Sequence, residues 1–184
     1  MIRIALADDQ DLIRGALALL LDAEDDLVVV GEAGTGVEAV ALAKRERPDV
    51  IVMDIRMPDG DGLWATEQIV KSDPAGAVLS WLPQARPEQI RRLQIHAQSC
   101  DAPVFLFRPV AALSEASPAP LRIAVVPAQG WLLEVRIPKR RGASFDDALH
   151  LAAMPGNLEG VIPPRLQSVP TPAAVPSNPE TSDA

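Results

Sequence analysis

The feature that most restricts how this chain can fold is a regular alternation, over its first 75 residues, of short apolar runs with amphipathic stretches. Residues 2–7, 27–31 and 49–53 are short runs dominated by Ile, Val, Leu and Ala, the signature of buried strands. Residues 11–23, 36–47 and 62–71 place apolar side chains at helical spacing; Asp11 opens the first helix, and Lys44, Arg45 and Arg47 favour the carboxyl end of the second. Pro48 stops that second helix. The order βαβαβα predicts an α/β fold with a parallel sheet and right-handed crossovers.

In such a sheet the functional crevice lies beyond the carboxyl ends of the strands. Asp54 closes the third run, and the pair Asp8-Asp9 follows the first. Each motif taken singly also suits a common structural role, Asp8-Asp9 as a helix cap and Asp54 as a turn residue. Taken together they predict three carboxylates in one small site. Such charges repel, so one must take up a proton or the cluster must hold a cation. Oxygen ligands in an open, water-accessible pocket suit Mg²⁺. A carboxylate beside that ion is also a competent nucleophile toward phosphorus, since the ion offsets charge on the phosphoryl oxygens.

Composition narrows the class. The 184 residues are 48% hydrophobic and 23% charged, enough for one good core with a tail. No apolar stretch approaches the roughly 20 residues of a membrane helix, Met1 leads directly into a strand-like run, and Cys100 is the single cysteine; a cytoplasmic protein without disulfides is expected. The net charge of −8 is unevenly spread, because residues 1–75 carry 16 acidic and 7 basic groups while residues 76–184 carry 9 and 10. Proline shifts as well, from 3 to 15, so two segments of different character are joined.

Three pieces, Ala7-Asp-Asp-Gln10, Val29-Val-Gly-Glu32 and the stretch from Asp49 through Asp54-Ile-Arg-Met-Pro58 to Gly62, make residues 1 to about 75 resemble the amino-terminal two thirds of a response-regulator receiver domain, of the CheY-like type joined to LuxR-type outputs. The resemblance implies a flavodoxin-like sheet with Asp54 as phosphoacceptor. It further implies Mg²⁺ on Asp8, Asp9 and Asp54, with the backbone carbonyl of Arg56 completing the protein ligands. The implied partner is a sensor histidine kinase, and the chain is expected to act as a phosphorelay protein rather than an enzyme.

The rhythm continues with a strand at 77–82, a helix at 87–98 and a strand at 103–107, but the residues depart from the receiver pattern. Ser80 is the nearest candidate for the hydroxyl that contacts a phosphoryl group, and strand alternation can equally turn it away. Arg108 stands where a lysine is expected; its planar, permanently charged fork is not equivalent. The plain alternatives are a buried strand hydroxyl and a solvated strand-end cation. Beyond Pro109 no fifth helix follows. Residues 111–120 are rich in Ala, Ser and Pro, and 121–126 with 131–137 read as two strands around Pro127-Ala-Gln-Gly130, a hairpin.

A second resemblance is carried by Ala77-Val-Leu-Ser-Trp-Leu-Pro83, Arg91-Arg-Leu-Gln94, Val104-Phe-Leu-Phe-Arg-Pro109, Ser117-Pro-Ala-Pro-Leu-Arg122 and the stretch from Leu133 to Gly142. These make residues 76–150 similar to the carboxyl-terminal part of ImuA-type translesion-synthesis accessory proteins, relatives of the SulA and RecA folds. That implies, as an alternative, an interaction module for DNA-repair proteins, or a fusion of two gene fragments without either function. No Gly-x-x-x-x-Gly-Lys loop occurs, so ATP hydrolysis is not expected. Lys139-Arg140-Arg141 suits either solvation or an acidic partner, and with an acidic chain overall direct DNA binding is not expected. Arg91 and Arg92 belong on a solvent face, Trp81 and Trp131 read as core anchors, and His96 and His150 have no ligand spacing. The expected organisation is therefore a receiver-like unit at 1–75, foreign βαβ and hairpin segments at 76–150, and a disordered Pro-rich tail at 151–184.

Overall fold

The computed structural model describes residues 1–59, 62–72 and 76–154. Strands and helices alternate in chain order as β1 (Ile2–Ala7), α1 (Asp11–Asp22), β2 (Leu27–Ala33), α2 (Gly36–Glu46), β3 (Val50–Asp54), α3 (Gly62–Ser72), β4 (Ala77–Trp81), α4 (Pro87–Ala97) and β5 (Val104–Phe107). All five strands pair in parallel in the order β2-β1-β3-β4-β5, the flavodoxin-like arrangement expected. The chain reverses its direction of sheet growth between β1 and β3, which opens a crevice at their carboxyl ends.

The period-2 alternation of the strands sorts side chains onto two faces. Ala5, Ala7, Ile51, Met53 and Val78 point to one face and form a core with Ala39, Val40 and Ala43 of α2 and Ala65, Ile69 and Val70 of α3. Ile4, Leu6, Val50 and Val52 point to the other and meet Leu17, Ala18 and Leu21 of α1. Fully burying a side chain such as Ile51, Met53 or Ile69 contributes about 1.5–3 kcal/mol each. Helix α2 begins where Thr35 Oγ1 accepts the Glu38 amide at 3.2 Å, while the Glu38 carboxylate accepts the Gly34 amide at 2.9 Å. The Gly34-Thr-Gly36 turn is thus a cap.

The chain divides into two compact units, Met1–Ala119 and the part from Pro120 onward. The first closes well beyond residue 75, where charge and proline content shift, because β4 and β5 add their backbone hydrogen bonds to β3. After β5 a 3-10 turn, Val110–Ser114, stands where a covering helix would otherwise follow. The second unit is a three-stranded antiparallel sheet of β6 (Arg122–Ala128), β7 (Leu132–Lys139) and β8 (Phe145–Ala152). The expected hairpin is its first half, with Gly130 and Trp131 taking positive φ in the turn. Strand β8 was not expected. Its register against β7 shifts between Val135 and Ile137, which breaks the plain alternation that a strand shows in sequence. The tail expected at 151–184 begins after this strand, and residues 155–184 lie outside the described residues.

Two glycines separate packing from propensity. A Cβ on Gly62 falls 2.6 Å from Ile55 Cα and nearer still to the Asp54 carbonyl, whereas one on Gly15, inside α1, meets nothing within 4 Å. Gly62→Ala is expected to destabilise by about 2–4 kcal/mol through overpacking. Gly15→Ala is expected to stabilise by about 0.5–1 kcal/mol through helix propensity. Urea unfolding of both variants checks the contrast.

Candidate functional site

The parallel register brings the carboxylates together. Ala7 pairs with Met53, so the next residues, Asp8 on one strand end and Asp54 on the other, come out level. Oxygens of Asp8, Asp9 and Asp54 all lie within 4.8 Å of one another. Asp8 Oδ1 accepts the Gln10 amide at 2.7 Å and Asp54 Oδ1 accepts the Ile55 amide at 2.8 Å, which fixes one oxygen of each and leaves Oδ2 with no partner among the described residues. Three hard oxygen donors close together at a half-exposed position match the ligand preference of Mg²⁺. The donor set therefore fits the ion inferred from sequence.

The loop after β3 is held by its own backbone. The Gly62 amide donates to the Ile55 carbonyl at 2.9 Å, and the Val37 amide at the start of α2 donates to the Asp59 carbonyl at 3.2 Å. Asp59 takes φ 46°, a left-handed conformation that aspartate tolerates. Arg56 lines the same cleft as Asp8 and Asp54.

That cleft, of about 590 Å³, runs from the acidic cluster between α1 and the ends of β4 and β5; Trp81, Phe107 and Arg108 line its far side. Asp54 is abreast of Trp81, and Trp81 of Phe107; the two rings stack with centroids 4.6 Å apart. Trp81 is 45% exposed rather than a core anchor, because alternation puts it on the face that α1 only partly covers. Arg108 enters the cleft as a shielded cation. Its side chain is 13% exposed, Nη2 donates to Glu115 at 2.9 Å, and the buried Nε has no partner among the described residues.

Ser80 is the site residue that the structure does not bring in. It is level with Met53, one position before Asp54, so it shares Met53's face and points away from the cleft. Its hydroxyl is fully buried and lies 3.1 Å from Thr66 Oγ1, which also donates to the Gly62 carbonyl at 2.7 Å. The buried strand hydroxyl is the correct reading of Ser80.

Sequence reasoning missed Arg14. Its guanidinium donates to the Asp8 backbone carbonyl, to Asp11 at 2.6 Å and to Glu32 at 3.0 Å, which joins the Asp8 loop, α1 and β2. The hydrogen bond to Asp11 is the main reason that its pKa is raised, against the opposing effect of burial. The i,i+3 spacing from Asp11 was the only local signal; Glu32 is brought near by the fold. Arg92, placed on a solvent face as expected, also reaches across from α4 to the nearly buried Glu67 at 2.7 Å. No helix among the described residues is long and apolar enough to cross a membrane.

The response regulator receiver domain model matches residues 4–100. The transcriptional regulatory protein DesR of Bacillus subtilis is 42% identical over 92 residues, which are 50% of this chain and 45% of that protein. LiaR of the same organism is 48% identical over 82 residues, 44% of this chain and 39% of that protein. The chain thus spans less than half the length of these curated relatives. Among solved structures, the response regulator domain of Thermotoga maritima CheB is 33% identical, with 58% of this chain and 78% of that one covered at a TM-score of 0.46.

Two measurements probe the site without any phosphodonor. Mg²⁺ is expected to raise the thermal midpoint of the wild type, since an ion at 100 times its dissociation constant adds about 2.7 kcal/mol. Asp54→Asn should remove that gain and, by relieving repulsion, raise metal-free stability by about 1 kcal/mol. Ser80→Ala should cost about 1–2 kcal/mol from the lost buried hydrogen bond and leave the Mg²⁺ response intact.

Proposed function

The chain belongs to the response-regulator receiver family, and from that premise we propose that Asp54 accepts a phosphoryl group from the phosphohistidine of a sensor histidine kinase in a Mg²⁺-dependent step. The observation that carries this reading is the convergence of Asp8, Asp9 and Asp54 at the ends of adjacent parallel strands, in a cleft that opens to solvent. Phosphorelay signalling is the function of this family.

A free Asp54 carboxylate oxygen attacks phosphorus, the phosphorus–nitrogen bond of the donor breaks, and its electron pair returns to the imidazole; the product is an aspartyl phosphate. Bound Mg²⁺ supplies charge compensation for the phosphoryl oxygens. Asp8 and Asp9 would hold that ion together with Asp54 and the Arg56 carbonyl. Arg14 braces the Asp8 carbonyl, so the loop that presents these ligands is fixed before a donor arrives. Arg108 is the cation available to the new phosphoryl group. A phosphoryl oxygen near its Nε would satisfy a donor that is otherwise buried without a partner, a charge-assisted contact. Ser80 takes no part, since its hydroxyl lies on the opposite face of β4. A cytoplasmic location is part of this reading, and the lone Cys100 and the family's signalling role support it.

The ImuA-type reading of residues 76–150, with DNA-repair proteins as partners, gains no support. β4 and α4 fall within the family match that ends at residue 100. β5 completes the parallel sheet, and the segment from Arg122 to Ala152 forms a three-stranded sheet rather than an isolated hairpin.

Incubation with Mg²⁺ and a small phosphodonor, followed by intact-mass measurement, is expected to show one added phosphate that disappears in Asp54→Asn. Arg108→Ala should slow labelling by roughly 10–100-fold, the value of one charge-assisted hydrogen bond. Absence of any adduct, or an adduct that persists in Asp54→Asn, contradicts the assignment.

A further inference from the structure

The strand positions level with Asp54 hold aromatic rings. Asp54 on β3 pairs with Trp81 on β4, Trp81 pairs with Phe107 on β5, and Arg108 follows Phe107 directly. Neighbouring strands lie about 4.8 Å apart, so the backbones at Asp54 and Arg108 are roughly 10 Å apart across the sheet, with Trp81 between them. All four residues line the same cleft. A group that touches both the carboxylate and the guanidinium therefore passes in front of the indole.

The indole has one packed face and one open face. Phe107 stacks on it with centroids 4.6 Å apart and an interplanar angle of 18°, and Phe107 belongs to the strand on the far side of β4 from Asp54. The other face is thus turned toward β3, and Trp81 keeps 45% of its surface exposed. An indole also reaches further from the backbone than an aspartate side chain. Its open face stands beyond the Asp54 carboxylate, on the side where a donor attacked in line places its leaving group. A pair of rings that served only to fill the core would be buried; these two hold each other in a fixed orientation at the wall of an open cleft.

We propose that Trp81 is a specificity-determining residue for the phosphodonor: its open face holds the flat ring of an N-phosphorylated imidazole while Asp54 attacks the phosphorus. This rests on the reading of Asp54 as phosphoacceptor and adds which donors it takes best. The bond from the Asp54 oxygen to phosphorus forms as the phosphorus–nitrogen bond breaks. The electron pair of that bond goes to the ring nitrogen, and with a proton already on its other nitrogen the ring departs as neutral imidazole. Until then the protonated ring is a flat cation, which the electron-rich face of an indole attracts both by stacking and by its quadrupole. Phosphoramidate carries the same phosphorus–nitrogen bond and no ring, so it leaves the indole face uncovered.

The test compares two donors, N-phosphoimidazole and phosphoramidate, on the full chain with Mg²⁺, reading second-order rate constants of labelling by intact mass. The ratio of the two constants is expected to fall by about 3–10-fold in Trp81→Leu, the worth of one aromatic stack, and to stay within about twofold of the wild type in Trp81→Phe. A merely structural role for Trp81 lowers both rates alike; an unchanged ratio in Trp81→Leu overturns the proposal and leaves Asp54 as phosphoacceptor. A ratio lost as fully in Trp81→Phe also overturns it, since a flat ring is then not what acts. If the wild type takes phosphate from neither donor, the phosphoacceptor reading fails and the proposal falls with it. Should Trp81→Leu fail to fold by far-UV circular dichroism, Phe107→Leu decides, because it removes the ring that holds the indole in its orientation: the ratio must fall in the same direction, and an unchanged ratio refutes the assignment.

Discussion

Three carboxylates gathered where β1 and β3 end repel one another, and the rest of the first unit is arranged around tolerating that repulsion. The register leaves no choice in the matter. Once Ala7 pairs with Met53, Asp8 and Asp54 emerge side by side in a half-exposed cleft. Backbone amides of Gln10 and Ile55 each engage one oxygen, which orients the carboxylates without neutralising them. The donor set suits Mg²⁺, and the proposed phosphoacceptor role of Asp54 rests on that fit.

Two arginines act on this cluster in different ways. Arg14 is spent on structure, since all three of its contacts go to the loop, helix and strand that surround Asp8. Arg108 keeps a buried Nε in reserve on the far wall of the cleft. The Ser80 hydroxyl does not face the cluster, because it lies against Thr66 on the other face of the sheet. In the proposed reading, Asp54 takes the charge and the Arg108 and Trp81 side of the same cleft faces it.

What could be read from the chain beforehand follows the range of the forces involved. The strands and helices of the first unit, their parallel order and the meeting of Asp8, Asp9 and Asp54 were legible, because hydrophobic periodicity is local and strand ends in a parallel sheet converge by rule. The direction in which Ser80 points was not, since it depends on a register between β3 and β4 that a shift of one residue reverses. Trp81 looked like a core anchor by its size, yet its exposure is decided by what lies over β4, a tertiary matter. Arg14 went unnoticed because Glu32 is 18 residues away and the Asp8 contact is to backbone. Strand β8 was hidden by its irregular register.

In the proposed function one cation, held by residues of two strand ends, makes Asp54 a phosphoacceptor in a sheet that, among the described residues, has no fifth helix over it. The most direct measurement is the rate of phosphate incorporation from a small donor as a function of Mg²⁺ concentration, for the wild type and for Asp9→Asn. Saturating dependence on Mg²⁺ in the wild type, displaced to much higher Mg²⁺ in Asp9→Asn, is the predicted result. A rate indifferent to Mg²⁺, or the same in both proteins, would contradict it.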